Sequence, residues 1–181
     1  MNFGIASMTA PLKEVALRRP GSSLRTAEAE AWNYSKYFNP FDIENEYNSF
    51  VLALENFGIK IHWIVGDDRG NADAVFAYDA SLMTPRGAIL MSPGKEKRRG
   101  EESLHKSFYI NKGIPIIGQI DAPGTAEAGD TLWLDENTVI IGKGFRTNTL
   151  GAKQVKDILT SIGITCYIFD LPFYQGKNAC L

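Results

Sequence analysis

The sequence predicts an α/β fold built from a repeated strand, strand, helix, strand unit, and three observations predict it. First, three segments close alike: SFVLALENFGIKIHWIV ending at Val65, SFYINKGIPIIGQI ending at Ile120 and VKDILTSIGITCYIF ending at Phe169. Each reads as a helical stretch, a Gly-Ile junction and a strand. Second, the junction glycines Gly58, Gly113 and Gly163 stand 55 and 50 residues apart, a spacing that marks repeated architecture. Third, pairs of short apolar runs lie between the segments, Ala74–Ala77 with Ala88–Met91 and Leu132–Leu134 with Val139–Ile141, and these read as hairpin strands.

Each element has a local reason. The glycines stand where a helix needs a left-handed terminating residue before the chain turns into a sheet. Aligning the units sets Asp73 of NADAVF against Asp130 of AGDTLW, so each unit places an acid before its first hairpin strand. Acids at equivalent edges of repeated units converge on a common axis. The turn Asp121–Asp130, DAPGTAEAGD, adds Glu127 beside Asp130 among small residues that leave both carboxylates uncrowded. The last unit shows its helix and closing strand before the polar stretch after Phe169, so residues 1–181 are expected to form one incomplete domain, the N-terminal part of a longer protein.

Composition excludes several function classes. The 181 residues are 44% hydrophobic and 22% charged, ordinary for a globular chain, with a net charge of −2 that offers no basic surface for nucleic acid or acidic lipid. The two cysteines, Cys166 and Cys180, are too few for a disulfide framework, and no Cys/His spacing suits zinc. No apolar run approaches the length of a membrane span. The expectation is a reduced, cytoplasmic protein with no metal and no cofactor; the sequence leaves oligomeric state, a homodimer included, open.

The candidate site residues are the acids Asp73, Asp79, Glu127 and Asp130 and the bases Arg98, Arg99 and Arg146. Carboxylates at one end and arginines at the other would bind a zwitterionic amino acid with a cationic side chain, because a planar guanidinium and a carboxylate exchange paired hydrogen bonds. Taken singly, each has a structural reading: Asp79 as the cap of its own turn, Arg98 and Arg99 as the solvated start of a helix, Arg146 as a surface ion-pair partner. The aromatics Trp63, Phe76, Tyr78 and Trp133 fall at strand positions and read as core.

Four motifs bring these residues together: YDASLMTPRGAIL (78–90), PGKEKRRGE (93–101), APGTAEAGD (122–130) and RTNTLGAKQ (146–154). In this order they resemble the guanidine-modifying, or pentein, superfamily, and most closely its dimethylarginine dimethylaminohydrolases, from about Ile59 to the C-terminus. The resemblance implies a five-unit α/β propeller, of which about three units are present, with its site on the central axis. It also implies that Glu127 binds the substrate guanidinium and orients a catalytic histidine, and that Asp79 is a second guanidinium ligand. Asp73 would lie near the substrate's amino end, Arg98 and Arg146 would hold its α-carboxylate, and Asp130 would give support. The segment Ser22–Ala31 is expected to be a helix near the substrate entrance.

The implied reaction is hydrolysis of a methylated arginine or arginine through a covalent cysteine intermediate. The family histidine is expected directly after Leu181 and the nucleophilic cysteine further on, so the 181 residues alone are expected to be inactive. His62, His105, Cys166 and Cys180 read as structural or surface groups and take no catalytic role. The alternatives are an amidinotransferase or arginine deiminase of the same fold, or a noncatalytic amino-acid-binding module.

Overall fold

The structure, a computed structural model, describes residues 3–5 and 7–172 and divides into two compact units, one of Pro11–Ala77 and one of Met1–Ala10 with Tyr78–Phe173. In the first, β1 (Glu14–Leu17) and β2 (Lys60–Trp63) pair in parallel, with Glu14 opposite Lys60 and Leu17 opposite Trp63. A parallel pair needs a crossover, here α1 (Ser22–Arg25), α2 (Ala29–Trp32) and α3 (Ile43–Asn56). The helix expected over Ser22–Ala31 is two single turns. The Thr26 hydroxyl donates to the Ser22 carbonyl at 3.1 Å, a local bond that competes with helix continuation, and Asn33 at φ 61° ends the second turn. By contrast α3 is long, with Glu44 and Glu46 at its electropositive start.

The second unit holds two complete strand, strand, helix, strand repeats. In one, β3 (Ser81–Thr84) and β4 (Gly87–Leu90) form an antiparallel hairpin, α4 (Glu101–Lys112) crosses over, and β5 (Ile116–Gln119) joins β4 in parallel. In the other, β6 (Thr131–Asp135), β7 (Thr138–Lys143), α5 (Thr149–Ser161) and β8 (Thr165–Asp170) repeat the same order and pairing. The repeat expected to show only its helix and closing strand is therefore the one led by the β6–β7 hairpin. The described residues of the first unit show the shorter version, β1, helices and β2.

The three junctions share one hydrogen-bond pattern. Gly58, Gly113 and Gly163 have φ of 73°, 65° and 84°. Their N–H groups bond the carbonyls of Glu55, Ile110 and Thr160, and the next residues, Ile59, Ile114 and Ile164, bond those of Leu54, Tyr109 and Leu159. This Schellman termination satisfies carbonyls a helix end would otherwise leave unpaired, and it redirects the chain into the closing strand.

One hairpin strand was expected too early. Ala72–Val75 is a 3₁₀ turn, and the strand is Ser81–Thr84. A four-residue apolar run does not distinguish strand from buried turn. Tertiary pairing decides it: the Thr84 hydroxyl accepts from Arg86 and Gly87 N–H at 3.1 and 3.2 Å and donates to the Gly87 carbonyl at 2.8 Å, closing a two-residue turn after SLMT.

The core of this unit joins both repeats. Leu82, Ile89 and Met91 pack with Val139, Ile141 and Trp133 against the buried stripe Ala152, Val155 and Leu159 of α5. Asn148 caps α5, its Oδ1 accepting from Gly151 N–H at 2.8 Å and from Thr125 N–H at 3.1 Å. One side chain thereby fixes both the helix start and the acidic turn that precedes β6. Among the described residues no helix is long and apolar enough to cross a membrane.

Candidate functional site

The acidic turn is held from three sides before any charge is considered. Ser92 and Ala126 exchange both backbone hydrogen bonds, at 3.1 and 2.8 Å, zipping the turn to the end of β4. The Asp79 carbonyl accepts from Ala128 N–H at 3.0 Å, and its Oδ1 accepts from Gly129 N–H at 3.1 Å. Asp79 thus caps the 3₁₀ turn Ala128–Asp130 of the neighbouring repeat rather than its own turn. The Thr147 hydroxyl accepts from Glu127 N–H at 3.2 Å and donates to Asp130 Oδ2 at 2.5 Å.

These contacts gather four acids and one arginine. Arg98 Nη1 donates to Asp79 Oδ2 at 2.6 Å and lies 4.0 Å from Glu127 Oε2, while Nη2 donates to Glu101 Oε2 at 2.8 Å. Arg98 Nε lies 3.1 Å from each Glu101 oxygen. Glu127 Oε1 accepts from Gly94 N–H at 3.0 Å. That approach needs a glycine, since a Cβ at position 94 would meet the Arg146 carbonyl at 2.4 Å. Side-chain exposure is 2% for Glu101, 6% for Arg98, 8% for Glu127 and 22% for Asp79, so Asp79 is the most open of the four.

Burial raises the Glu127 pKa above its ordinary value; the charges of Arg98 and Arg146 and the Gly94 N–H oppose the rise, and Asp79 adds to it. Asp130 is raised too, first by burial and then by Asp79, against the Thr147 hydrogen bond and Arg146. Burial alone would lower the Arg98 pKa, but Glu101 and Asp79 outweigh it and hold the guanidinium charged. For Glu127 and Asp130 the folded pKa lies above the unfolded one, so folding favours the protonated form. Their contribution to stability is fully present below the ordinary carboxylate range and is lost as pH rises through the raised values. Urea unfolding at a series of pH values should therefore show Glu127→Gln gaining stability relative to wild type as pH rises from 4 to 7; a flat difference would refute the burial effect.

The expected acids Asp79, Glu127 and Asp130 converge, and Arg146 acts on Glu127 and Asp130 through space. The acid leading into the first hairpin strand is Asp79 in one repeat and Asp130 in the next. Asp73 lies in the other compact unit, where it is buried and its Oδ1 accepts from the Tyr34 hydroxyl at 2.5 Å. Arg98 was expected opposite the acids; here the buried Glu101 carboxylate turns it into their midst. Arg99 sits on the surface, 3.9 Å from Glu96. Glu101, Thr147 and Gly94 were missed, although RRGE carried the one available signal, an acid three residues after Arg98.

The reactive residues named from sequence have other surroundings. Cys166 is buried in the core, where desolvation pushes its thiol up to about 11. His105 is buried with Nδ1 2.8 Å from Ser81 Oγ, and His62 lies 2.6 Å from Glu14. Cys180 lies outside the described residues. Trp133 is core as expected, whereas Phe76 and Tyr78 are exposed and the Trp63 ring stacks under Arg19 at 4.3 Å. No group of three or more metal-ligating side chains occurs among the described residues.

Comparison with known proteins places this geometry in context. The profile of the family described as arginine deiminase matches residues 71–174, which include the four clustered acids and Arg98. The N(G),N(G)-dimethylarginine dimethylaminohydrolase of Pseudomonas aeruginosa is 37% identical over 124 residues, covering 66% of this chain and 46% of that protein. A solved dimethylarginine dimethylaminohydrolase adduct with S-methyl-L-thiocitrulline superposes with a TM-score of 0.76 at 29% identity, over 92% of this chain and 64% of that one. The Pseudomonas aeruginosa enzyme complexed with citrulline gives a TM-score of 0.73 at 30% identity, over 91% and 63%. The chain thus spans about half to two thirds of the length of these relatives, with the α/β propeller fold of the pentein superfamily.

Proposed function

From the premise that this chain belongs to the arginine deiminase family, we propose that Asp79 and Glu127 form the guanidinium-binding end of a site for arginine or a methylated arginine. The observation that carries this reading is Arg98. A guanidinium nitrogen already sits 2.6 Å from Asp79 and 4.0 Å from Glu127, so the two carboxylates stand at a spacing that suits a planar cation. The relatives support it, since their solved forms hold S-methyl-L-thiocitrulline and citrulline. With Glu101 occupying one edge of Arg98, Arg146 is the better-placed partner for a substrate carboxylate. Asp130, through Thr147, fixes the turn that carries Glu127.

In a protein where a cysteine and a histidine complete this site, the reaction is C–N hydrolysis. A thiolate adds to the guanidinium carbon and the histidine protonates the departing amine. Water, deprotonated by the same histidine, then releases the ureido product. Glu127 and Asp79 stabilise the cationic carbon throughout, because their charge is fixed before the reaction starts. Cys166 and His105 are unsuited to these roles by burial, so residues 1–181 are proposed to bind without turnover. Calorimetric titration should show arginine and dimethylarginine binding at least about tenfold tighter than neutral citrulline. Equal affinities would overturn the guanidinium reading, and amine or ammonia release by the 181 residues would overturn the inactivity.

A further inference from the structure

We propose that Glu101 is a positioning residue: it grips one edge of Arg98 and aims the other at the carboxylate pair, so that helix α4 sets the charge balance of the site. The inference deepens the guanidino-site reading and rests on it for what the site serves. Its geometry stands independently.

Glu101 opens α4 and is 1% exposed. Arg98 ends the 3₁₀ turn Glu96–Arg98, and only Arg99 and Gly100 separate it from the helix. Gly100 adopts φ 101°, and its N–H donates to Glu102 Oε2 at 2.9 Å, so the link is tight and held. The Glu101 carboxylate meets the Nε–Nη2 edge of Arg98 side-on, at 3.1, 3.1 and 2.8 Å. A guanidinium is planar and rigid, and fixing that edge fixes the direction of Nη1. Nη1 then reaches Asp79 at 2.6 Å and stands 4.0 Å from Glu127.

The same helix face also holds the strand that presents Asp79. His105 Nδ1 lies 2.8 Å and the Tyr109 hydroxyl 2.6 Å from Ser81 Oγ, and Ser81 begins β3 two residues after Asp79. Glu101, His105 and Tyr109 recur at i, i+4 and i+8 on α4, all buried. One helix face therefore sets both members of the Arg98–Asp79 pair. A buried ion pair gives little stability over apolar packing of the same volume, which points to geometry as what this pair supplies. The groups facing Glu127 are Arg98, Asp79, Arg146 and the Gly94 N–H, and among them Arg98 is the cation that α4 aims.

Carboxyl-carbon NMR titration of the 181-residue chain tests this. In Glu101→Gln the fork loses its charge, Arg98 is no longer aimed, and the midpoint of Glu127 should rise by about one pH unit, a tenfold gain in proton affinity. Arg98→Lys, which cannot be gripped by an edge, should give a rise of at least half that size with Glu101 intact. The double variant should rise no further than Arg98→Lys alone, because both changes remove the same interaction. A role confined to fold stability would lower the melting point and leave the Glu127 midpoint in place, and that result in folded Glu101→Gln overturns the proposal. If Glu101→Gln does not fold, an unmoved Glu127 midpoint in Arg98→Lys overturns it equally. Arginine titration of the same samples separates the two readings: a shifted Glu127 midpoint with no arginine binding by wild type supports the positioning role and refutes the guanidino site.

Discussion

Replacing Glu127 with glutamine is expected to weaken arginine binding about a hundredfold, close to 3 kcal/mol, while the chain stays folded. The amide keeps the volume of the carboxylate and an oxygen for the Gly94 N–H, so the turn between Ser92 and Thr147 has no reason to move. What goes is a negative charge in a setting where water screens little of it. In wild type that charge is held against a desolvation cost, which the raised Glu127 pKa records. Loss of binding should therefore accompany unchanged or higher stability at neutral pH, a combination a misfolded variant cannot produce. Calorimetry with arginine and urea unfolding on the same preparation check both halves. Binding within twofold of wild type would remove Glu127 from the guanidinium site.

Arg98→Met is expected to destabilise the chain by about 3–5 kcal/mol, the largest effect on folding among these substitutions. The replacement fills much of the space but takes the Arg98 guanidinium away from Glu101, a carboxylate only 1% exposed, and leaves Asp79 facing Glu127 without the guanidinium between them. Adding Glu101→Gln to Arg98→Met should recover more than half of the loss, because removing both charges abolishes the desolvation cost that removing one exposes. Urea unfolding midpoints at pH 7 measure the single and double variants. Equal loss in both would mean that the side chain acts through packing and not through its charge.

The parts of the fold legible in the sequence were those decided over a few residues. A left-handed residue after a helix is a local demand, so Gly58, Gly113 and Gly163 announced all three helix-to-strand junctions. The β6–β7 hairpin and the strand at Ala88–Met91 were equally plain, since continuous apolar runs bounded by turn residues leave little choice. Ser81–Thr84 was not, because a strand starting with serine and ending with threonine declares itself only through its partners, and its serine is needed by His105 and Tyr109. The apolar run at Ala74–Ala77 looked the better strand, but its first half, Ala74 and Val75, ends a 3₁₀ turn.

The same division runs through the site. Glu127, Asp79 and Asp130 could be named from sequence as carboxylates beside hairpin strands, because residue type and turn position carry that much. Their partners could not: Asp79 caps a turn 50 residues away, Thr147 ties Glu127 to Asp130 from the loop before α5, and Arg98 faces the acids only because Glu101 grips its far edge. By itself the sequence determined the repeated unit, its glycine junctions and the identity of the acids, since each follows from local backbone geometry and side-chain chemistry. Tertiary structure decided where Asp73 lies, which way Arg98 points and which carboxylates are raised, because burial and the approach of charges distant along the chain exist only once the sheets and helices have packed.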